Sequence, residues 1–540
     1  MMVGRYRDAV EKWRSHLGPA GIITDLGILR DAETATFPTS HTVPVILSPA
    51  DAGQVQECVR IANAHQVPIY PVSSGKNWGY GSRAPSTNDC ALLDLGRMNH
   101  ILDFNEDLAY VTVEPGVTQR QLYAFLQERK SRLWMDATGS SPDCSLIGNA
   151  MERGFGHTPY GDHASYVCGL EVVLANGERV ETGFAGFPQS QVGQLNRWGV
   201  GPSLDGLFSQ SNFGIVTRMT IWLLPAPEYF QAFFFRCDED GSLGPLIDAL
   251  RPLRLNGTLR SNIHIGNDYK VMAGITQYPW EETGGQTPLL PSHMTALRKK
   301  MKFGYWNGSG GLYGTPAQVA ESRRLLRRAL RGKVTKLQFL DRRLFGIASR
   351  FAKPFGWLTG FDLSRTLELA RPVFELIQGI PTDKTLGSVY WRKRYPVPAK
   401  PDPNRDGCGL LWCAPVVPAE GGHAALLCEI VTSALTRYGF EPMISITMAT
   451  ERSLAFVISL TYDREVAGED DRAIACHSGL LQELIANGYP PYRLGLQSME
   501  VMNQNTSAAL LNTLKAAIDP NGILAPGRYE AARTRAAAVH

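Results

Sequence analysis

Residues 148–183 read GNAMERGFGHTPYGDHASYVCGLEVVLANGERVETG, and the stretch holds two kinds of signal. Its second half is a β-hairpin pattern: residues 171–175 are mostly apolar, Asn176 and Gly177 make a turn, and residues 178–182 run back. Asn-Gly accepts the positive φ that a two-residue hairpin turn demands. The first half interleaves Gly148, Gly154, Gly156 and Gly161 with His157, His163, Glu152 and Asp162. His157, His163 and Asp162 invite a metal reading, but their spacing matches no HExxH or similar ligand box. No metal is expected.

Outward from this stretch, the first 225 residues alternate helix and strand signals. Ser48 and Pro49 suit the start of a helix, which Val55, Val59 and Ala62 carry to about His65. Residues 67–72, VPIYPV, are apolar with two prolines, which places a strand at a sheet edge. Residues 91–95 and 109–113 are further strands. Thr118 and Gln121 form a capping box that opens a helix with Leu122, Phe125 and Leu126 inward. Residues 215–224 are a long strand ended by Pro225. Beyond it the texture changes to longer helices, such as 316–332, and proline-rich connections, such as YPVPAKPDP at 395–403. A helix over 506–518 and the segment DPNGILAPGR at 519–528 close the chain.

Of 540 residues, 44% are hydrophobic and 19% charged. The charged share lies below the globular norm of about 25%, so much of the chain is interior and a disordered protein is excluded. A net charge of +3 marks neither a nucleic-acid binder nor a polybasic membrane surface. Nine cysteines, none in a CxxC pair, indicate free buried thiols in a reducing compartment. The N-terminus MMVGRYRDAVEKWRSHLG is charged throughout, so no signal peptide is expected. No window approaches the roughly 18 apolar residues of a membrane span. The expectation is a soluble, cytoplasmic protein that forms a homo-oligomer.

Chemistry concentrates in three places. PVSSGKNWGYGS at 71–82 is neither a GxxxxGK[ST] nor a GxGxxG loop. Gly75, Gly79 and Gly81 nevertheless allow positive φ and close approach of the backbone to a ligand, and successive N–H groups in such a turn suit phosphate. The glycine-rich half of 148–183 is the second place, and YPPYR at 489–493 is the third. Neither a GxSxG elbow nor a cysteine-nucleophile signature is present.

Together these stretches resemble the vanillyl-alcohol oxidase and p-cresol methylhydroxylase family. SQSNFGIVT at 209–217, WN at 306–307, LYG at 312–314, LWCAPV at 411–416 and DPNGILAPG at 519–527 add to the likeness, which is dense before residue 225 and sparse after it. The resemblance implies an α+β fold: an FAD-binding domain in two parts, 1–225 and 490–540, with an α+β cap inserted at 226–489. It implies that FAD lies against Ser73, Ser74, Gly75, Lys76, Asn77, Gly79, Tyr80, Gly81 and Ser82 at its pyrophosphate. Gly148, Asn149 and Gly156 would run along the flavin, Ile215 near the adenine side, and Arg528 would also touch the cofactor. It implies oxidation of para-substituted phenols, with Tyr80, Tyr492 and Arg493 holding the phenolate. Hydride then leaves the benzylic carbon for flavin N5, and water attacks the resulting p-quinone methide.

Two positions depart from the oxidase branch. His157 stands where that branch has tyrosine, and is expected to be a hydrogen-bond partner near flavin or substrate. The branch also has an aspartate about eight residues before Gly148, where this chain has Ser140 or Ser141, with Asp143 nearby. The departures point to a cytochrome c subunit as electron acceptor, with a peroxide-producing oxidase as the alternative. Any haem would be on that partner, since the chain has no CxxCH. The tether segment before LWCAPV has neither His nor Tyr. Cys408, Cys413, Tyr390 and Tyr395 lie around it, and noncovalent FAD is expected. A flavin-binding protein without turnover is the reading from another class.

Overall fold

A computed structural model describes residues 2–347 and 363–532. Within them the chain forms three principal sheets. The first has four strands in the order Ile22–Ile23, Ile46–Leu47, Ala91–Asp94 and Ile69–Val72, with the last two pairings parallel. The proline-bearing strand Ile69–Val72 is at the end of this order, and a parallel bridge from Ile69 to Leu524 brings the C-terminal segment onto its open side. Proline cannot donate to a ladder, which is why this strand sits there.

The second sheet is antiparallel, in the order Ile101–Asn105, Tyr110–Val113, Ile215–Trp222, Val167–Val173 and Arg179–Glu181. The Asn176-Gly177 hairpin is present, with Glu171 opposite Glu181 and Gly177 at φ +79°. The third sheet is antiparallel and has eight strands, all from between residues 229 and 463. Its path runs Lys336–Asp341, Tyr229–Cys237, Trp306–Gly314, His264–Asn267, Met443–Thr447, Ser453–Asp463 and Cys408–Cys413, with Val416–Pro418 paired beside the last turn of the path.

Strand alternation gives this large sheet two unlike faces. Phe233 and Phe235 point to an apolar core with Leu246, Leu250, Leu427 and Leu480 from the helices Leu243–Leu255, Gly421–Arg437 and Glu469–Ala486. Phe234 and Arg236 point the other way, into a cavity. That second face mixes polar side chains with apolar ones such as Phe234 and Leu340 and forms one wall of the site described below.

Local signals place most elements with small shifts. The helix expected from Ser48-Pro49 spans Ala52–His65, and its cap is Asp51, whose side chain accepts from Gln54 N at 2.8 Å. An aspartate three residues before the N3 amide outcompetes the proline start. Thr118 caps Gln119–Glu128, but the expected capping box is only half formed, because Gln121 Nε2 donates to Asn99 O at 2.6 Å; the helix at 316–332 spans Pro316–Ala329, and the last one spans Ala508–Ile518. All nine cysteines are free and eight are buried. Among the described residues no helix is long and apolar enough to cross a membrane.

Candidate active site

The loop 71–82 leaves the strand Ile69–Val72 and folds back on itself, with Tyr80 N and Ser82 N both donating to Asn77 O at 3.2 and 3.0 Å. Gly75, Gly79 and Gly81 have φ of +68°, +76° and +127°, so the backbone itself requires glycine there. One of the three borders the cavity. Gly75 borders the cavity, whereas Gly79 is packed on Trp412, where a Cβ would meet Cδ1 at 2.0 Å, and Gly81 on Leu496. Gly156 is likewise not on the wall, being packed against Asp136 and His163. A Cβ at any of these three glycines would overlap a neighbouring side chain.

The other expected positions line one cavity of about 1820 Å³: Ser73, Ser74, Gly75, Lys76, Asn77, Tyr80, Ser82, Gly148, Asn149, Ile215 and Arg528, with His157, Tyr492 and Arg493. A volume above the roughly 300–1,000 Å³ of a pocket for one drug-sized ligand leaves room for a large cofactor and a substrate. A Cβ on Gly148 would stand 2.6 Å from Ser73 Oγ, so only glycine lets the helix Leu146–Met151 approach the loop. Ser211 Oγ and Arg528 Nη1 are buried without a protein partner among the described residues. Unspent hydroxyl and guanidinium donors beside a glycine-lined cleft fit the diphosphate and carbonyl edges of FAD. Ser211 was not foreseen, though it lies in SQSNFGIVT.

Beside this cleft stands a charged cluster centred on Glu152. Arg528 Nη2 donates to Glu152 Oε1 at 2.7 Å, and the Tyr529 hydroxyl donates to Oε2 at 2.8 Å. Arg493 Nε is 3.4 Å from the same carboxylate, Nη2 donates to Asn77 Oδ1 at 2.6 Å, and Cζ lies 4.3 Å from the centre of the Tyr80 ring. Burial works against the Glu152 carboxylate, but Arg528 and Arg493 outweigh it and hold its pKa below the usual value. Two guanidiniums against one carboxylate leave a net positive charge facing the cavity, which favours an anion. Burial raises Tyr80 well above the ordinary tyrosine range and raises Tyr492 too, so both hydroxyls remain protonated donors.

Tyr492 comes from the far end of the chain. Its N–H donates to Ala414 O at 3.0 Å, and its ring lies 5.0 Å from Phe155. The backbone of YPPYR therefore docks on LWCAPV, which delivers Tyr492 and Arg493 to the loop that carries Tyr80.

His157 lies farther along the wall. Its N–H donates to Asp136 Oδ1 at 3.1 Å, and its Nδ1 faces Ala137 O at 3.1 Å. That carbonyl assigns the proton to Nδ1 and leaves Nε2 its lone pair. The ring stacks on His264 at 4.1 Å. Burial lowers the pKa of both histidines, His264 the more, so the pair is neutral near pH 7. Asp136 also accepts from Thr158 N at 2.7 Å and faces His163 Nε2 at 2.9 Å, which makes it a brace for the segment 156–163. Asp162 accepts from Ser165. Among the described residues no group of three His, Cys, Asp or Glu side chains is placed to hold a metal.

A family model described as an FAD binding domain matches residues 43–183. Over 533 residues the chain is 32% identical to the 4-cresol dehydrogenase [hydroxylating] flavoprotein subunit of Pseudomonas putida, with 97% of this chain and 95% of that one covered. The chain belongs to the vanillyl-alcohol oxidase and p-cresol methylhydroxylase family. It is similar as well to the 1'-carboxy-chondrochloren decarboxylase of Chondromyces crocatus, at 46% identity over 525 residues and 97% of both chains. The crystal structure of p-cresol methylhydroxylase with substrate bound matches it with a TM-score of 0.87 at 31% identity, over 98% and 97% of the two chains. This family member is thus an FAD-dependent oxidoreductase with the two-part α+β architecture.

Against the family's pattern, two sets of expected positions resolve differently. Asp143, weighed as a replacement for the oxidase aspartate, turns outward to Arg120 at 2.8 Å and is half exposed. Ser141 is buried and accepts through its Oγ from Asp143 N, while Ser140 alone of the three lines the cavity. None of the four residues weighed as a flavin tether lines the cavity either. The Tyr390 and Tyr395 hydroxyls are spent on Asp406, and Cys408 and Cys413 are buried.

The cap wall holds Trp412 of LWCAPV and several groups with no sequence signal. His264, Ser309 and Trp412 project from three different strands of the eight-stranded sheet, and Ser445 and Thr447 from a fourth. Trp412 Nε1 donates to Trp78 O at 2.9 Å, which ties this wall to the glycine loop. Lys270, in the helix Asp268–Ile275, completes it.

Proposed function

We propose that this chain oxidises the benzylic carbon of a para-substituted phenol bound as its phenolate between the FAD-binding segments, 1–225 and 490–540, and the cap, 226–489. The observation that supports this most is the Arg493 guanidinium over the Tyr80 ring at 4.3 Å, with Tyr492 next to it on the same cavity wall. A phenol ionises near pH 10, so holding it as phenolate at pH 7 takes about 3 pH units, or roughly 4 kcal/mol. A buried guanidinium and two neutral hydroxyl donors supply interactions of that size. The phenolate pushes electron density to the para position. Loss of hydride from the benzylic carbon then leaves a neutral p-quinone methide. FAD, when bound, supplies the hydride acceptor, and the loop 73–82, Gly148, Asn149, Ser211, Ile215 and Arg528 are the residues that would hold it. His157, neutral and with Nε2 bare, is the group that takes a proton from water as it adds to the quinone methide.

A second outcome follows the same first step, and the likeness to a decarboxylase favours it. If the carbon next to the benzylic one bears a carboxylate, the quinone methide can lose carbon dioxide. The electron pair of the broken bond forms a styrene double bond and restores the ring to a phenolate. Water addition and carbon dioxide loss thus share one phenolate site. We take a cytochrome c subunit as the electron acceptor and a peroxide-forming oxidase as the alternative.

The test is anaerobic mixing of the holoenzyme with 4-alkylphenols while the flavin absorbance is followed. Bleaching is expected. A flavin that stays oxidised with every phenol would make this a flavin-binding protein without turnover on phenols.

A further inference from the structure

We propose that Lys270 is an anchor for a carboxylate on the side chain of the phenol, so that the preferred substrates are para-substituted phenols carrying an acid. The proposal rests on the phenol reading above and narrows it.

Lys270 lies in the first turn of the helix Asp268–Ile275, where Asn267 Oδ1 accepts from its backbone N–H at 3.0 Å. Its ammonium donates to Ser388 Oγ and Ser459 Oγ, both at 3.2 Å, and sits 5.2 Å from the centre of the Trp412 ring. All of these partners are neutral. Among the described residues no carboxylate lies within 4 Å of it. Other buried lysines are treated differently by the same fold: Lys393 meets Asp463 and Glu465 at 2.6 and 3.0 Å, and Lys515 meets Asp519 at 2.7 Å. A buried charge is costly unless it is paired, and the positive end of a helix gives a cation no relief. Desolvation accordingly brings the Lys270 pKa down to about 8. Unlike Lys393 and Lys515, Lys270 lies on the cavity wall.

Its position relative to the phenolate clamp supplies the substrate. Trp412, beneath the ammonium, packs against Gly79, and the next residue is Tyr80 with Arg493 across its ring. Along this wall Trp412, Gly79 and the Tyr80 ring stand between the two cations. A phenolate held at Tyr80, Tyr492 and Arg493 can pass its para substituent over Trp412 toward Lys270. A molecule with an anion at each end matches both cations, whereas a 4-alkylphenol leaves Lys270 desolvated and unpaired. In a decarboxylation the charge leaves this end and appears on the phenolate, so Lys270 is assigned recognition and not the bond-breaking step.

The experiment compares 3-(4-hydroxyphenyl)propanoate with 4-propylphenol, which differ in the carboxylate. Each is mixed with anaerobic holoenzyme in stopped flow, and Kd is read from the concentration dependence of the flavin spectral perturbation that precedes any reduction. The wild-type protein is expected to favour the acid, and Lys270→Met to shrink the ratio of the two Kd values by about tenfold or more, the size of a hydrogen bond to a charged group. Lys270→Arg should retain the preference. A wild-type protein that binds the acid no better, or a ratio unmoved in Lys270→Met, overturns the anchor. Binding of both ligands with the acid preferred but no flavin reduction by either would sink the phenol-oxidation reading and leave the anchor standing. Binding of neither would end both.

Discussion

The two walls of the cavity are built on opposite principles. On the FAD-binding side, function is packed into contiguous sequence: ten residues of one loop, a single helix start, and YPPYR. The backbone does much of the work there, and φ values of +68° and +76° favour glycine. On the cap side, a regular sheet offers side chains from several strands, and any residue type fits the backbone. The first wall is therefore constrained to one cofactor, while the second is free to vary with the substrate. Changes on the first wall should abolish a common step, and changes on the second should alter selectivity.

The largest effect expected is from Arg493→Lys. The guanidinium reaches Asn77, Glu152 and the Tyr80 ring at once, and an ammonium keeps the charge without the planar fork. Loss of a buried, hydrogen-bonded charge contact costs about 2–5 kcal/mol, so flavin reduction by a phenol should slow at least about thirtyfold. A rate near wild type would remove Arg493 from the phenolate site. Tyr80→Phe and Tyr492→Phe come next. Each keeps the ring and removes one donor, at about 1.5–3 kcal/mol for a bond to a charged group. For Tyr80 the ring contact with Arg493 survives, which separates the hydroxyl from the stacking. If both Phe variants reduce flavin at the wild-type rate, the tyrosines are packing residues.

The same contrast explains what the sequence made legible. Glycine loops and an Asn-Gly hairpin are local, so the loop and the hairpin can be picked out along the chain, whereas Tyr80, Tyr492 and Arg493 are singled out by the family resemblance alone. Glu152 lies in plain view inside GNAMERGFG, yet nothing local says that two arginines from 341 and 376 positions away converge on it. Asp136, His264 and Lys270 carry no pattern at all. Their roles arise only when Thr158, His157 and Ser459 are brought next to them by tertiary pairing. Gly79, Gly81 and Gly156 were legible as necessary glycines but not as packing sites, because the tryptophan, leucine and aspartate they accommodate are distant or unmarked in sequence.

That last point yields a smaller, structural prediction. Gly79→Ala places a Cβ 2.0 Å from Trp412 Cδ1 at a positive φ, an overpacking that costs about 1–3 kcal/mol. Thermal unfolding and bound FAD should both report it. Adding Trp412→Ala should relieve part of the cost, since residues in contact are not additive. Strictly additive losses would show that the two walls do not meet at this point.

The smallest effect expected is on the electron acceptor, because it depends on space near the flavin more than on any one contact. Here the walls differ in the opposite sense: the FAD-binding side departs from the oxidase pattern. Ser140 faces the cavity where that pattern has an acid, and Asp143 is turned away to Arg120. Glu152, the carboxylate beside Arg493, is committed to Arg528 and Tyr529. His157, neutral near pH 7, lines the same cavity. Flavin reduced by substrate should then be reoxidised faster by cytochrome c than by air-saturated buffer in stopped flow, by a factor of a few. Restoring the acid with Ser140→Asp should narrow that difference. Complete reoxidation by oxygen within one turnover of the wild-type protein would make it an oxidase and dismiss the cytochrome partner.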